Sequence, residues 1–382
     1  MTERLYARDP YLVRFTGRVR SCTAEKRGFA VVLNRTAFYP EGGGQPGDRG
    51  TLGPARVTDT QETGGEVVHF CDAPLDEGAE VEGLLDWDRR FDLMQQHSGE
   101  HIVSGLICAR FGCDNVGFHL GAEVTVIDFN HPVSPEELGE IELEANRVIW
   151  EDRPFLVSHP APEELKRLPY RSKKELHGDV RIVECPGADC CACCGTHVAR
   201  AGALGLIKLL SVKPFREGAR IELLAGKRAY AYVRMAAAQN HAVSVLTSAK
   251  ETGTAAAVER LKAELAAEKY RAVGLENRLF ERIAKEYAGR GDTLLFADMP
   301  HTPDALRRLC ELVCASCGGI CAVFSGGDDM GYQYAVGSAE GSVREQVNAM
   351  NAALNGRGGG KQAGFAQGSL RASRAEIENW FE

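Results

Sequence analysis

Long apolar runs are missing from this 382-residue chain. No stretch approaches the ~20 apolar residues that a membrane-spanning helix requires. The first residues, Met1-Thr2-Glu3-Arg4, carry no apolar secretory core. These absences argue against membrane and secreted classes, and a cytoplasmic location is expected. An excess of positive charge is missing too. The formal net charge is −8, so the chain as a whole does not advertise a nucleic-acid binder. Cysteine, in contrast, is abundant. Thirteen cysteines in a chain of this size without a secretory signal argue for reduced thiols and metal ligation, not for a disulfide framework. Hydrophobic residues make up 44% and charged residues 26%, the balance of an ordinary soluble globular protein. The length suggests two or three domains of roughly 100–200 residues.

Two short segments carry most of the chemistry. Gln96-His97-Ser98-Gly99-Glu100-His101 places two imidazoles four residues apart, on one face of a helix. Cys193-Cys194-Gly195-Thr196-His197 repeats the spacing with one thiolate and one imidazole, and can close a tetrahedral zinc site from the other side. His97, His101, Cys193 and His197 are therefore the expected ligands of a Zn2+ ion. A surface or core histidine is the ordinary reading of a lone His, and the paired spacing weighs against it. The string His97-x-x-Glu100-His101 also fits an inverted zinc-peptidase signature, with Glu100 as general base. That scheme gives Cys193 and His197 no role. Cys190, Cys191 and Cys194 add C-x-x-C spacings beside the ligand thiolate, so a redox or alternative zinc reading stays open. Cys310, Cys314, Cys317 and Cys321 span a helix end and a strand start, which favours buried apolar cysteines over a second metal site.

A third segment runs Phe38-Tyr39-Pro40-Glu41-Gly42-Gly43-Gly44-Gln45-Pro46-Gly47-Asp48-Arg49-Gly50. With H-S-G-E-H and C-C-G-T-H following in order, it resembles the editing domain of alanyl-tRNA synthetase and the free-standing alanyl-tRNA editing proteins. The tail, Asn355-Gly356-Arg357-Gly358-Gly359-Gly360-Lys361-Gln362 with Ala366-Gln367-Gly368, is similar to the glycine-rich loop in that synthetase's C-terminal domain. The resemblance covers nearly the whole chain and is to the long form of the free-standing proteins. It implies hydrolysis of tRNA(Ala) mischarged with serine or glycine, without the ability to activate alanine. It implies that Thr36 and Gln45 read the seryl hydroxyl, since a pocket that hydrogen-bonds this group rejects alanine strongly. It also implies that Gly42, Gly43 and Gly44 let backbone approach the acylated end, and that Gly358, Gly359, Gly360 and Lys361 contact tRNA. Glu100 would orient a ligand or water, and Asp189 resembles an acidic position beside the second ligand pair. Ordinary turn polarity, a tight barrel turn or an exposed helix charge would also account for these residues. The tail is not a phosphate-binding P-loop: Gln362 stands where Ser or Thr is required, and Asn355 where the first Gly is. A non-catalytic zinc-containing tRNA-binding protein is the competing function, and a metallopeptidase the third.

The organisation expected is α+β. Residues 1–88 read as a small glycine-rich β-barrel, with strands at Leu12–Gly17, Phe29–Leu33 and Val67–Phe70. Residues 89–228 read as an α/β editing domain with the zinc site. A helix over Arg89–Phe111 carries the paired histidines, Ser134 caps a helix reaching Trp150, and strands lie at Glu123–Phe129, Val180–Val183, Leu204–Lys208 and Ala219–Leu224. Residues 229–290 read as two helices broken near Gly253. Val258, Leu261, Leu265, Ala272, Leu275 and Leu279 follow a heptad spacing there, which serves either a homodimer seam or packing within one chain. Residues 291–382 read as a compact β-α-β-β-α domain, with Ser342 capping its second helix; this domain is the other candidate dimer surface. Two basic clusters, Lys166, Arg167, Arg171, Lys173, Lys174 and Lys208, Lys213, Arg216, Arg220, are candidate phosphate patches, or solvated charged faces.

Overall fold

The computed structural model describes residues 1–26, 28–172 and 180–382. Lys173 and Lys174 of the first basic cluster lie outside the described residues. The chain divides into two compact units, Met1–Asn240 and His241–Glu382.

The first unit opens with a closed barrel of six strands: β1 (Arg14–Glu25), β2 (Gly28–Leu33), β3 (Gly50–Leu52), β4 (Ala55–Thr63), β5 (Glu66–Cys71) and β6 (Glu80–Leu85), joined in the order β1-β2-β5-β4-β3-β6. Alternation fills it: Phe15, Val19, Val31, Leu33, Leu52, Val57 and Val81 point into one apolar core. Helix α1 (Trp87–Phe111) follows. Asp86 caps it by accepting from the Arg89 N–H at 3.2 Å, and Gly112 ends it in the left-handed region at φ 62°. Strands β7 (Asn115–Leu120) and β8 (Thr125–Phe129) lead to α2 (Pro135–Trp150), where Ser134 and Glu137 form the capping box expected at Ser134. Strands β9 (Leu156–Ser158), β10 (Ile182–Cys185) and β11 (Asp189–Ala192) form a three-stranded sheet. Strands β12 (Ile207–Phe215) and β13 (Gly218–Ala225) complete a four-stranded one in the order β12-β13-β8-β7. The strand expected at Leu204–Lys208 is displaced. Residues Ala201–Leu204 form a 3-10 turn, and Gly205 at φ 70° breaks the chain before β12 begins at Ile207.

In the second basic cluster, Lys208 pairs with Glu142, Lys213 with Glu222 and Arg220 with Asp128 at 2.6–3.2 Å. Three of its four cations are thus matched by carboxylates, which weakens the phosphate-patch reading for that cluster.

Helix α3 (Gly226–Thr247) runs from the first unit into the second. Helix α4 (Thr254–Glu286) follows the break near Gly253. Its heptad residues Val258, Leu261, Leu265, Leu275 and Leu279 are 40–58% exposed, so packing within this unit, among the described residues, does not cover the stripe. A five-stranded sheet follows, ordered β14-β15-β16-β18-β17: β14 (Gly291–Phe296), β15 (Gly318–Gly327), β16 (Gly331–Ser338), β17 (Arg357–Gly359) and β18 (Phe365–Leu370). Helices α5 (Pro303–Cys317), α6 (Arg344–Ala353) and α7 (Arg374–Phe381) complete the unit. Two expectations need correction. Ser342 is not the cap of α6: Val343 holds that position, fully buried, and makes no side-chain cap. The glycine-rich tail is not an open loop, because β17 pairs with β18 through Gly358↔Gly368 and Gly359↔Gln367. A Cβ on Gly358 would stand 2.3 Å from the Gln367 carbonyl oxygen, and one on Gly360 1.8 Å from that of Phe365. These glycines therefore have a packing reason of their own. Lys361 is exposed in the turn that follows.

Candidate metal centre and the cavity above it

Helix α1 breaks the amphipathic rule. From Leu93 to Ile107 every residue is buried, polar ones included. Burying polar side chains is costly unless each finds a partner, and here they do. Gln96 bonds the Ala225 backbone in both directions, at 2.8 and 2.9 Å. The helix is tied to the barrel by Arg90 and Asp48, both buried. The Arg90 guanidinium grips the Asp48 carboxylate and donates to the Ala37 and Pro10 carbonyls. Asp48 also accepts from the Tyr39 N–H at 2.6 Å. The glycine-rich turn is thereby locked against the helix that carries the histidines.

His97, His101, Cys193 and His197 meet, with their donor atoms all within 4.8 Å of one another. Cys193 Sγ lies 3.5 Å from His97 Nε2 and 3.4 Å from His197 Nε2. A tetrahedral zinc with ordinary Zn–N and Zn–S bonds sets N and S about 3.5 Å apart, so these spacings fit the ion. The outer ring nitrogens are held as well. His97 Nδ1–H donates to Gln45 Oε1 at 2.9 Å, and His101 Nδ1–H to Asp189 Oδ2 at 2.9 Å. His197 Nδ1 lies 3.4 Å from Ser98 Oγ. Partners of this kind fix tautomer and ring direction, leaving each Nε2 lone pair for a metal.

Before a metal binds, the cluster pairs a thiolate with an imidazolium whose proton the ion would displace. Burial alone would raise the Cys193 thiol, but the His97 and His101 charges and bonds to His101 and His197 hold it well below its usual value. Burial opposes charge on His101, but the Cys193 thiolate and Asp189 raise that imidazole to about 10. Burial and the charges of His101 and His97 hold His197 well below its usual range. Cys194 is exposed and Cys190 half-buried, whereas Cys191 forms a second grouping with His101 and Asp189. All thirteen cysteines are free thiols.

The cluster opens into a cavity of about 490 Å³, bordered by Gly43, Gly44, Glu100, Phe118 and Arg171 among others. Gly44 sits at φ 83°, and a Cβ there would stand 2.6 Å from the Phe118 ring, which stacks on His97. Glu100 is buried and lines the cavity. Its Oε1 accepts from Ser104 Oγ and Asn115 Nδ2, both at 2.7 Å, and its Oε2 lies 4.0 Å from His101 Nε2.

Gln45 and Thr36 are both fully buried. Neither borders the cavity. Gln45 is fully buried behind His97, where Oε1 accepts from His97 and the Thr196 N–H while Nε2 donates to Thr196 Oγ at 2.8 Å. Thr36 faces His69 at 2.8 Å. His69 Nδ1–H donates to the Val31 carbonyl, so Nε2 accepts the Thr36 proton, and Thr36 Oγ accepts from the Phe38 N–H.

Three participants escape a reading of motifs. A Cβ on Gly195 would lie 2.1 Å from His97 Cε1, so only glycine fits there. Arg181 Nη1 donates to the Cys193 and Gly195 carbonyls and shapes the ligand loop. Arg171 grips Asp189 through Nε at 2.7 Å and Nη2 at 3.0 Å. Gly195, inside the second motif, was open to discovery from sequence; Arg171 was read only as one cation of a basic cluster, and Arg181 had no local signal.

Residues 12–89 match the family model described as tRNA synthetases class II (A), and residues 180–222 that described as threonyl and alanyl tRNA synthetase second additional domain. The alanyl-tRNA editing protein Aarsd1 of Danio rerio is 30% identical, covering 97% of this chain and 95% of that protein. The alanyl-tRNA editing protein AlaX-L of Pyrococcus horikoshii is 36% identical over 60% of this chain and 59% of its own length. The alanine–tRNA ligase of Ignicoccus hospitalis is 37% identical over 59% of this chain but only 26% of its own. The similarity thus runs nearly end to end along the Danio rerio editing protein and over a part of the other two, and the chain belongs to the alanyl-tRNA editing protein family.

Proposed function

We propose that this protein is a zinc-dependent, trans-acting aminoacyl-tRNA deacylase that clears serine or glycine from mischarged tRNA(Ala). The observation that carries the reading is a donor set of three imidazole nitrogens and one thiolate sulfur, with its outer ring nitrogens held, on the wall of an open cavity in a member of this family. His97, His101, Cys193 and His197 would hold the ion, which would supply a fixed positive charge beside the cavity to polarise an ester carbonyl. Gln45, Asp189 and Ser98 keep the rings aimed. Glu100 takes the proton of the attacking water through Oε2, while Ser104 and Asn115 hold Oε1 still. Of the two residues expected to read the seryl hydroxyl, Gln45 has both oxygen lone pairs committed, so its part is to position His97. Thr36 keeps one lone pair, and its part in discrimination rests on the family resemblance. Gly43 and Gly44 border the acyl-end cavity, and Lys361 with Gly358–Gly360 would meet tRNA. The exposed heptad of α4 supports a homodimer, and thirteen free thiols suit a reducing cytoplasm. No helix among the described residues is long and apolar enough to cross a membrane.

The test is release of amino acid from Ser-, Gly- and Ala-tRNA(Ala), with and without a chelator. Fast loss of serine or glycine, slow loss of alanine and abolition by chelator are expected. Equal rates on all three would remove the specificity, and binding without hydrolysis would leave a zinc-stabilised tRNA-binding protein. Peptide cleavage sensitive to Glu100→Gln but not to Cys193→Ser would instead indicate a peptidase.

A further inference from the structure

Arg171 stands where the metal cavity meets a second hollow. The first cavity, about 490 Å³, contains His97, Glu100 and His101; the second, about 620 Å³, is bordered by Asn115, Val116 and Tyr170. Arg171 borders both, as do Ser172 and Cys191, so the two hollows adjoin along a groove at these residues. Among the described residues lining either hollow, Arg171 is the only lysine or arginine. Its Nε and Nη2 are spent on the two oxygens of Asp189, and its Nη1 has no partner among the described residues. The side chain is 22% exposed and lines both hollows.

Charge makes this edge useful. Glu100, Asp189 and the Cys193 thiolate make the metal end negative, and a polynucleotide brings a phosphodiester one ribose away from its acyl ester. A fixed guanidinium edge is the group best suited to take that charge. The Asp189 pair holds the fork in one orientation. The same carboxylate accepts from His101 Nδ1–H, so one side chain ties the groove's cation to a metal ligand.

Building on the deacylase reading, we propose that Arg171 Nη1 binds the phosphate on the 5′ side of the acylated terminal nucleoside, with Asp189 keeping this anchor in register with His101. The test uses the zinc-loaded full chain and the non-hydrolysable 3′-serylamino-3′-deoxyadenosine, with and without a 5′-phosphate, by calorimetry. The wild type should bind the phosphorylated analogue about tenfold more tightly, as expected of a charge-assisted hydrogen bond. Arg171→Gln should bring that ratio to about one. It should also lower the salt dependence of phosphorylated-analogue binding by about one phosphate contact. Arg171→Lys should fall between. The ratio is read within each variant, so damage to the metal centre cancels, and zinc content is measured alongside. A ratio unchanged in Arg171→Gln, or a wild type indifferent to the phosphate, overturns the anchor while leaving the deacylase reading intact. A wild type that binds neither analogue and releases nothing from mischarged tRNA overturns both.

Discussion

Two groups of cysteines in this chain meet opposite surroundings. Cys193 lies against three imidazoles, and Asp189 and Gln45 hold two of them from behind. Cys310, Cys314, Cys317 and Cys321 lie between α5 and β15, among Phe280, Leu306, Leu309 and Val323. Their polar contacts are weak bonds to carbonyl oxygens, such as Cys310 Sγ to the Cys321 carbonyl at 3.5 Å. Burial and the neighbouring thiols push Cys314 up to about 11, so it stays a neutral thiol, whereas the imidazoles draw Cys193 down into a thiolate. Four cysteines close in sequence thus make an apolar wedge in one place, while one cysteine makes a ligand in the other. The count of thiols does not decide their chemistry; the charged partners do.

The strongest way to break the contrast is to remove the ligand. Cys193→Ser or His97→Ala should abolish stable zinc binding and deacylation, measured by metal analysis and serine release, while Cys310→Ala should leave both intact. Gly195→Ala should come close to the same loss without touching a donor atom, because the added methyl displaces the His97 ring. Asp189→Asn should weaken zinc by about 10–100-fold, the usual effect of losing a carboxylate behind a ligating histidine; a zinc competition titration reads it.

His69 sharpens the contrast from the histidine side. Buried in the barrel, it is pulled down to about 4, against a weaker opposing pull from the Val31 carbonyl, so it stays neutral where the cluster raises His101. Between pH 6.5 and about 4 the unfolded chain binds a proton that the folded barrel refuses, so stability falls as pH falls through this window. At roughly 1.4 kcal/mol per unit the total is about 3 kcal/mol. Urea unfolding at pH 7 and 4.5 should show this acid loss reduced in His69→Gln. Smallest of all, Cys321→Ala should cost about 1–2 kcal/mol in stability with zinc content unchanged.

What the sequence disclosed follows from range. The His97/His101 pair and the Ser134 cap are local patterns, read from spacings of three and four residues. The second ligand pair was legible for the same reason, and its meeting with the first was inferred from chemistry. Contacts set by tertiary approach were not legible. His69 against Thr36, Arg90 across to Asp48 and Arg171 onto Asp189 join residues 18 to 42 positions apart with no shared motif. The β17 edge was hidden because glycines that permit close strand pairing look like those of an open loop. Gln45 was placed in the right motif, but the direction of its amide depends on Thr196, 151 residues away.

The most direct measurement is X-ray absorption at the zinc edge on the loaded protein. One zinc per chain with three nitrogen neighbours and one sulfur, the sulfur lost in Cys193→Ser, is the predicted result. A sulfur-rich shell, or a shell that survives Cys193→Ser unchanged, would contradict the assignment of these four residues to one ion.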